Sequence, residues 1–350
     1  MKGRSKASAA IISGAALLLT ACGGSPSTPT SNASNGSSAG SSRPSVANVL
    51  SGPLGDQGFF DDAARGMKKI EAAGSKILIV QSDANNPAQW KSNLESVSTG
   101  KWDVVITGTT QMHDILDQDA PKYPKQKYVI YDDVVKQPNV ASIVYRQNEG
   151  SFVAGVLAAL VTTNKDKFPL ATGSKTVGLV GGMDIPVIND FVVGFKKGVE
   201  VVDPSVQVKV SYVGSFTDSN KGFDQAQLMY SQGADVVFQV AGGSGSGVLK
   251  AAATSKRYAI GVDANQNALQ PGHILASMLK NIGESLSSAV DSAAAGTLKY
   301  GKTTEYGLAN KGVGLDFENN SNTVPDDIKS KVEDFSKKVA DGTIKVPTAL

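Results

Sequence analysis

After Ser45, short runs rich in valine, isoleucine and tyrosine alternate with longer stretches whose apolar residues recur at helical spacing. The runs are Lys76–Val80, Asp103–Thr107, Tyr128–Tyr131, Thr176–Val180, Val206–Val213, Ala234–Val240 and Tyr258–Val262. Such short, continuously apolar, β-branched runs predict strands buried on both faces, as in parallel sheets. Helical spacing covers Phe59–Ala73, Pro87–Thr99, Gly150–Thr163, Val187–Val202, Asn220–Gln232 and Gly245–Lys256, with start signals such as Pro87 early in its helix. Strand and helix in alternation predict an α/β fold.

The pattern before Val46 is different. Lys2, Arg4 and Lys6 precede an uncharged stretch from Ala7 to Ala21 that holds Ile11-Ile12 and Leu17-Leu18-Leu19. A basic start followed by a short apolar core predicts a secretory signal peptide over residues 1–21, too short for the roughly 20 apolar residues of a spanning helix. It ends in Leu19-Thr20-Ala21-Cys22, which resembles a bacterial lipobox, and Cys22 is the chain's one cysteine. The resemblance implies lipidation at Cys22. Residues 22–45 are almost wholly Ser, Gly, Asn, Thr, Pro and Ala, which predicts a flexible tether. A coil of that length spans about 25 Å, enough to hold a globular body just off a membrane. The expected place is therefore the outer face of the cell membrane, on a lipid anchor.

Composition removes several functions. The 350 residues carry 34 Lys and Arg against 32 Asp and Glu, a net charge of +2, so no basic footprint for nucleic acid exists. One cysteine and two histidines, His113 and His273, leave no disulfide framework and no Cys/His metal site. No cofactor is implied. No Gly-x-Ser-x-Gly elbow, zinc signature or phosphate loop is present, and neither histidine has a triad context, so the sequence does not read as an enzyme.

The body contains an internal similarity. Gly100-Lys-Trp-Asp-Val-Val-Ile-Thr-Gly108 resembles Gly233-Ala-Asp-Val-Val-Phe-Gln-Val-Ala-Gly242, and Tyr128-Val-Ile-Tyr-Asp132 resembles Tyr258-Ala-Ile-Gly-Val-Asp263, both offset by about 130 residues. Two similar lobes are expected. Ligands of open parallel sheets collect beyond the carboxyl ends of the strands, which places Asp132, Asp263 and the loops at Gly108 and Gly242 in a cleft. The run Gly242-Gly-Ser-Gly-Ser-Gly247 lacks Gly-x-Gly-x-x-Gly spacing and is not followed by Lys-Ser/Thr. It reads as a tight turn whose N–H groups could also meet ligand oxygens.

From about Val46 to Phe317 the chain resembles the basic membrane protein family of substrate-binding lipoproteins, whose characterised members bind nucleosides for ABC transporters. The blocks that carry this are Gly55-Asp-Gln-Gly-Phe-Phe60, Glu149-Gly-Ser-Phe-Val-Ala-Gly155, Val177-Gly-Leu-Val-Gly-Gly-Met183, Phe191-Val-Val-Gly-Phe195, Tyr212-Val-Gly-Ser-Phe-Thr-Asp218, Asp235-Val-Val-Phe-Gln-Val-Ala-Gly-Gly243, Ile260-Gly-Val-Asp263 and Ser277-Met-Leu-Lys280. Their order is the family's order. The resemblance implies a type I periplasmic-binding-protein fold, two Rossmann-like parallel-sheet lobes joined by a three-crossing hinge. The crossings are expected near Ser142–Gln147, Asp263–Gln270 and Thr303–Leu308. The N-terminal lobe would then hold residues 46–144 and 268–303, and the C-terminal lobe 145–267 and 304–350.

The same resemblance implies roles at single positions. Phe59 and Phe238 match the two phenylalanines that stack on the nucleobase, although Phe238, inside a predicted strand, reads as core by its own setting. Asp263 and Lys280 match positions that face the ribose hydroxyls; a carboxylate and an ammonium suit a vicinal diol, and they would equally suit an interlobe ion pair. Gly243 matches a backbone contact. Asp56 reads either as a partner of the base edge or as a helix cap, and Asp132 is the internal counterpart of Asp263. Phe60 departs from the pattern: the family has asparagine there and serine at Gly58, so a polar group for the base edge is missing. The function implied is a monomeric, lipid-anchored receptor that delivers a nucleoside, with a purine nucleoside foremost, to an ABC permease. A receptor for another sugar-like or ring solute, or a surface adhesin or antigen, is the alternative.

Overall fold

A computed structural model describes residues 43–350. The signal peptide, Cys22 and nearly all of the tether lie outside the described residues. In chain order the elements are β1 (Val46–Val49), α1 (Phe59–Ala72), β2 (Ile77–Val80), α2 (Pro87–Val97), β3 (Val104–Gly108), α3 (His113–Asp119), β4 (Lys127–Tyr131), β5 (Val140–Tyr145), α4 (Gln147–Thr163), β6 (Thr176–Gly181), α5 (Pro186–Val202), β7 (Gln207–Tyr212), α6 (Ser219–Ser231), β8 (Val236–Val240), α7 (Gly245–Thr254), β9 (Tyr258–Asp263), β10 (Ile274–Lys280), α8 (Ile282–Ala294), β11 (Thr303–Tyr306), β12 (Val313–Asp316) and α9 (Asp326–Ala340). All seven predicted strands and all six predicted helices are among them.

Two six-stranded sheets result, with orders β11-β5-β4-β3-β1-β2 and β12-β10-β9-β8-β6-β7. Substituting β6 for β1, β7 for β2, and so on to β12 for β11 turns one order into the other, so the internal similarity extends to the whole topology. The first sheet is parallel throughout, and the second differs in one edge strand, β12, which runs antiparallel to β10. Helices cover both faces of each sheet, which is why the strands are apolar without alternation.

Helix α4 is buried along nearly its whole length and joins the first lobe to the core of the second. An apolar helix of this kind has to be enclosed on all sides. Gly194 and Gly198 of α5 let it approach α4 backbone to backbone: a Cβ on either would lie 2.1 Å from Asn148 O and 2.0 Å from Phe152 O, respectively.

The chain passes between lobes three times. It leaves β5 at Arg146 for α4, leaves β10 at Asn281 for α8, and leaves β11 for β12 through residues 307–312. The crossing expected near Asp263–Gln270 is therefore displaced. Residues 268–280 belong to the second lobe, because β10 adds to the sheet beside β9, with Ser277 opposite Gly261. The first lobe instead takes back α8, whose Gly283 N–H donates to Asp62 of α1 at 2.9 Å. Residues 303–306 likewise stay with the first lobe, paired to β5. The crossings are tied together: Arg146 N–H donates to Tyr306 O at 2.7 Å, and the Tyr145 and Ser285 hydroxyls lie 2.5 Å apart.

Candidate functional site

The carboxyl ends of both sheets face each other across a cavity of about 500 Å³, within the range of small-molecule sites. Strand order grades its chemistry. Asp132 after β4, Asp263 at the end of β9 and Lys280 at the end of β10 stand at the hinge end. The loop after β2 with the start of α2, holding Asn85, Pro87 and Trp90, and the loop after β7, holding Phe216 and Thr217, stand at the outer end. With strands spaced about 4.8 Å apart, three spacings separate the two ends by on the order of 14 Å. The charged groups lie at the rear, with Asp56 further out, and aromatic and uncharged polar groups predominate toward the mouth.

At the hinge end, Lys280 is buried, and its Nζ sits 2.5 Å from Asp132 Oδ1. The rings of Tyr145, Phe191 and Phe59 surround the ammonium at 5.2, 5.4 and 5.6 Å from their centroids, so cation–π attraction supplements the ion pair. Lys280 thus pairs with Asp132, where the sequence reading joined it to Asp263. Burial raises the Asp132 carboxyl, and the lysine pulls it back down. The Asp263 carboxyl accepts no hydrogen bond from the protein among the described residues, and the residue is 7% exposed. Burial first, then the neighbouring carboxylates Asp56, Asp132 and Asp62, lift its pKa to about 7 against the pull of Lys280. Water is largely excluded and no donor is supplied, so this carboxylate is open to a ligand's hydroxyls.

Phe59, at the first position of α1, lines the cavity with its ring 5.5 Å from that of Tyr131. Tyr131 is fully buried and lies over Gly108, where a Cβ would come 2.4 Å from its ring. Phe60 also lines the cavity, edge-on to Phe59 and packed over Gly52. Asp56 lines it too, but its oxygens receive the N–H groups of Gly58, Phe60 and Asp61 at 3.1, 2.9 and 3.1 Å. Of its two readings, the helix cap is the one the geometry has. Burial nevertheless lifts its pKa above the ordinary carboxylate range.

Phe238 is corrected. It is fully buried in β8 and stacks behind the wall, 5.6 Å from Phe195 and 6.4 Å from Phe191, and does not reach the cavity. The strand setting decides its place, because a central strand sends alternate side chains into the helix layers rather than past the sheet's end. The second lobe's ring at the cavity, beside Phe191, is Phe216, in the loop after β7. Its Gly-Ser-Phe-Thr context, an aromatic residue in a small-residue loop after a strand, was the signal available. Gly243 lines the cavity as expected; a Cβ there would touch Phe216 O at 3.2 Å and Asp56 Cβ at 3.8 Å. The lobes also meet where Gln266 Nε2 donates to Gln57 O at 3.0 Å, while Gln266 Oε1 receives Gln239 Nε2 at 2.7 Å and Val262 N–H at 3.0 Å. No group of metal-binding side chains occurs among the described residues.

Comparison with known proteins agrees with this architecture. Residues 43–349 match the family described as ABC transporter substrate-binding protein PnrA-like, Bmp. The chain is 32% identical over 284 residues to the ABC transporter nucleoside-binding protein BmpA of Lactococcus lactis, covering 76% of this chain and 77% of that one. It is 33% identical to a CD4+ T-cell-stimulating antigen of Listeria innocua, over 85% of each chain. The crystal structure of an ABC transporter solute-binding protein from Aeropyrum pernix superposes with a TM-score of 0.78 at 27% identity, over 87% of this chain and 93% of that one. Such proteins face outward, work at the membrane with a permease, and bind small molecules rather than transform them. No helix among the described residues is long and apolar enough to cross a membrane. The chain belongs to the Bmp family of ABC transporter substrate-binding proteins.

Proposed function

We propose that the ligand is a nucleoside, a purine nucleoside foremost, held with its ribose at the hinge end of the cleft and its base toward the mouth. The observation that carries this reading is the sorting of the cleft. An unpaired, buried carboxylate at Asp263 and the ammonium of Lys280 stand at one end. Phe216 stands at the outer end, and Phe59, on the opposite lobe, lines the cavity with its ring 5.6 Å from the ammonium. A carboxylate can accept two vicinal hydroxyl hydrogens, and the aromatic faces suit a flat ring. The name of the Lactococcus relative points the same way. Asp132 serves as the partner that fixes Lys280, Gly243 brings its backbone to the ligand, and Asp56 caps the start of α1, which carries Phe59 and Phe60.

The protein is tethered by lipid on Cys22 and passes the nucleoside to its permease as a monomer. Cys22→Ser should release it from membranes into the medium, seen by fractionation. For the ligand, thermal shift of the unlipidated, ligand-stripped chain against nucleosides, free bases and ribose is decisive. At a nucleoside concentration of 100 times Kd, stability should rise by about 2.7 kcal/mol. A shift with ribose alone would indicate a sugar receptor, and a shift with none would sink the nucleoside reading.

A further inference from the structure

The departure at Phe60 leaves the ligand's ring edge without the amide that the family resemblance implies. The turn after β3 supplies another set of polar groups, and its backbone is unusual. Thr109 has φ +78° and ψ +153°, a region that side-chain-bearing residues avoid and β-branched ones most of all. The conformation is held by Thr109 N–H donating to Tyr131 O at 3.0 Å and by Met112 N–H donating to Thr109 O at 3.1 Å.

The second lobe is an internal control. Its matching turn after β8 has Ala241 at the equivalent position with φ −133°, and takes its left-handed residue one place later as glycine, Gly242. The fold therefore does not require a threonine in a glycine conformation. What the threonine adds is a hydroxyl at the cavity, 3.2 Å from the Ser51 hydroxyl. Ser51 Oγ in turn reaches Gln111 Oε1 at 3.5 Å, and the Gln111 NH₂ donates to no protein atom among the described residues. Gln111 also lines the cavity, at the position that matches Gly243 in the other lobe. These groups come from the ends of β1 and β3, between the hinge carboxylates and the mouth, where the proposed orientation puts the base.

We propose that Thr109 and Gln111, linked through Ser51, read the edge of the ligand's ring, and that they favour an edge rich in acceptors, of which a 6-oxopurine nucleoside is the fitting class. This rests on the nucleoside reading. With the Ser51 hydroxyl donating to Gln111 Oε1 and the Thr109 hydroxyl donating to Ser51 Oγ, both hydroxyl hydrogens are used in holding the amide, whose NH₂ donors are thereby turned to the cleft. The strain at Thr109 is retained for that hydroxyl, as strain at binding sites commonly is.

The test is calorimetric titration of the ligand-stripped chain with inosine, adenosine and ribose, in the wild type and three variants. Thr109→Val keeps the branched side chain and loses the hydroxyl. Gln111→Glu keeps the size and turns the donor into an acceptor. Thr109→Gly removes hydroxyl and strain together. Inosine should bind at least tenfold more weakly to Thr109→Val and Gln111→Glu, with adenosine affected less. Thr109→Gly should bind inosine more weakly while the ligand-free protein melts at a higher temperature, a combination that a purely structural role does not give. Wild-type affinities in the variants, or equal losses for both nucleosides, would overturn the inference and leave the nucleoside reading standing. A wild type that binds neither nucleoside would overturn both. Gln111→Glu, on the cleft surface, keeps the test open if a Thr109 variant does not fold.

Discussion

Asp132 and Asp263 occupy matching places in the two lobes, each after the β4 or β9 position of its sheet and each with φ +65°. Their electrostatic settings differ. Asp132 has Lys280 at 2.5 Å, whereas the Asp263 carboxyl has no donor among the described residues and is held up to about pKa 7 by burial and by Asp56, Asp132 and Asp62. A repeated fold thus supplies two equivalent carboxylates, and one lysine from the second lobe, placed at a crossing, makes them unequal. The paired one organises the hinge end. In the proposed function the unpaired one receives the ligand.

Removing the lysine should have the largest effect. Lys280→Met leaves Asp132 buried without its counter-charge, and a loss of about 3–5 kcal/mol is expected in urea unfolding. The double change to Lys280→Met with Asp132→Asn should recover a good part of it, because no buried charge remains. If the single variant is as stable as the wild type, the pair does not set the two aspartates apart. A similar stability loss, about 3–5 kcal/mol, is expected for Phe238→Ala in the core, with ligand affinity little changed in the folded fraction. Phe216→Ala should do the reverse, melting near the wild type and binding the nucleoside about tenfold more weakly.

Asp263→Asn tests the unpaired side. Two charge-assisted hydrogen bonds would be weakened, so affinity should fall by about a hundredfold. Its effect on the ligand-free protein has a sign. The folded chain keeps the Asp263 proton up to about pH 7, while the unfolded chain releases it near pH 4. The stability from that proton is full below pH 4 and is lost as pH rises through 7. Asp263→Asn should therefore match the wild type at pH 4 and exceed it at pH 8. A variant less stable at pH 8 would mean that Asp263 has a partner.

The smallest change is between the lobes. Gln266→Glu keeps an oxygen for Gln239 and Val262 N–H but sets another oxygen against Gln57 O. Stopped-flow displacement should show the ligand leaving about tenfold faster with an unchanged association rate.

The sheet cores were legible because Val- and Ile-rich runs such as Asp103–Thr107 and Ala234–Val240 have no other stable use than burial on both faces. Strands with polar interruptions were not. β1 contains Asn48, β5 contains Ser142, and β11, Thr-Thr-Glu-Tyr, is an edge strand without an apolar pattern. The segment between β9 and β10 holds no helix, so nothing marked β10 as a continuation of the same sheet, and the second crossing was set too early. Site residues that end strands, Asp132 and Asp263, could be read from the repeat. Which of them Lys280 would join could not, because that depends on side-chain reach across a crossing. Phe216 is legible only in part: its Gly-Ser-Phe-Thr context marks an aromatic residue in a loop after a strand, while its seat at the cavity depends on tertiary packing against Gly182 and Gly242.

The most direct test of the division of labour between the two aspartates is a calorimetric titration of the ligand-stripped protein with a purine ribonucleoside and its 2′-deoxy counterpart, at pH 6 in two buffers of different ionisation heat. The ribonucleoside should bind at least tenfold more tightly and release a proton as Asp263 ionises to accept the diol. Equal binding of the two, or binding without proton release, would contradict the assignment of the free carboxylate to the ribose.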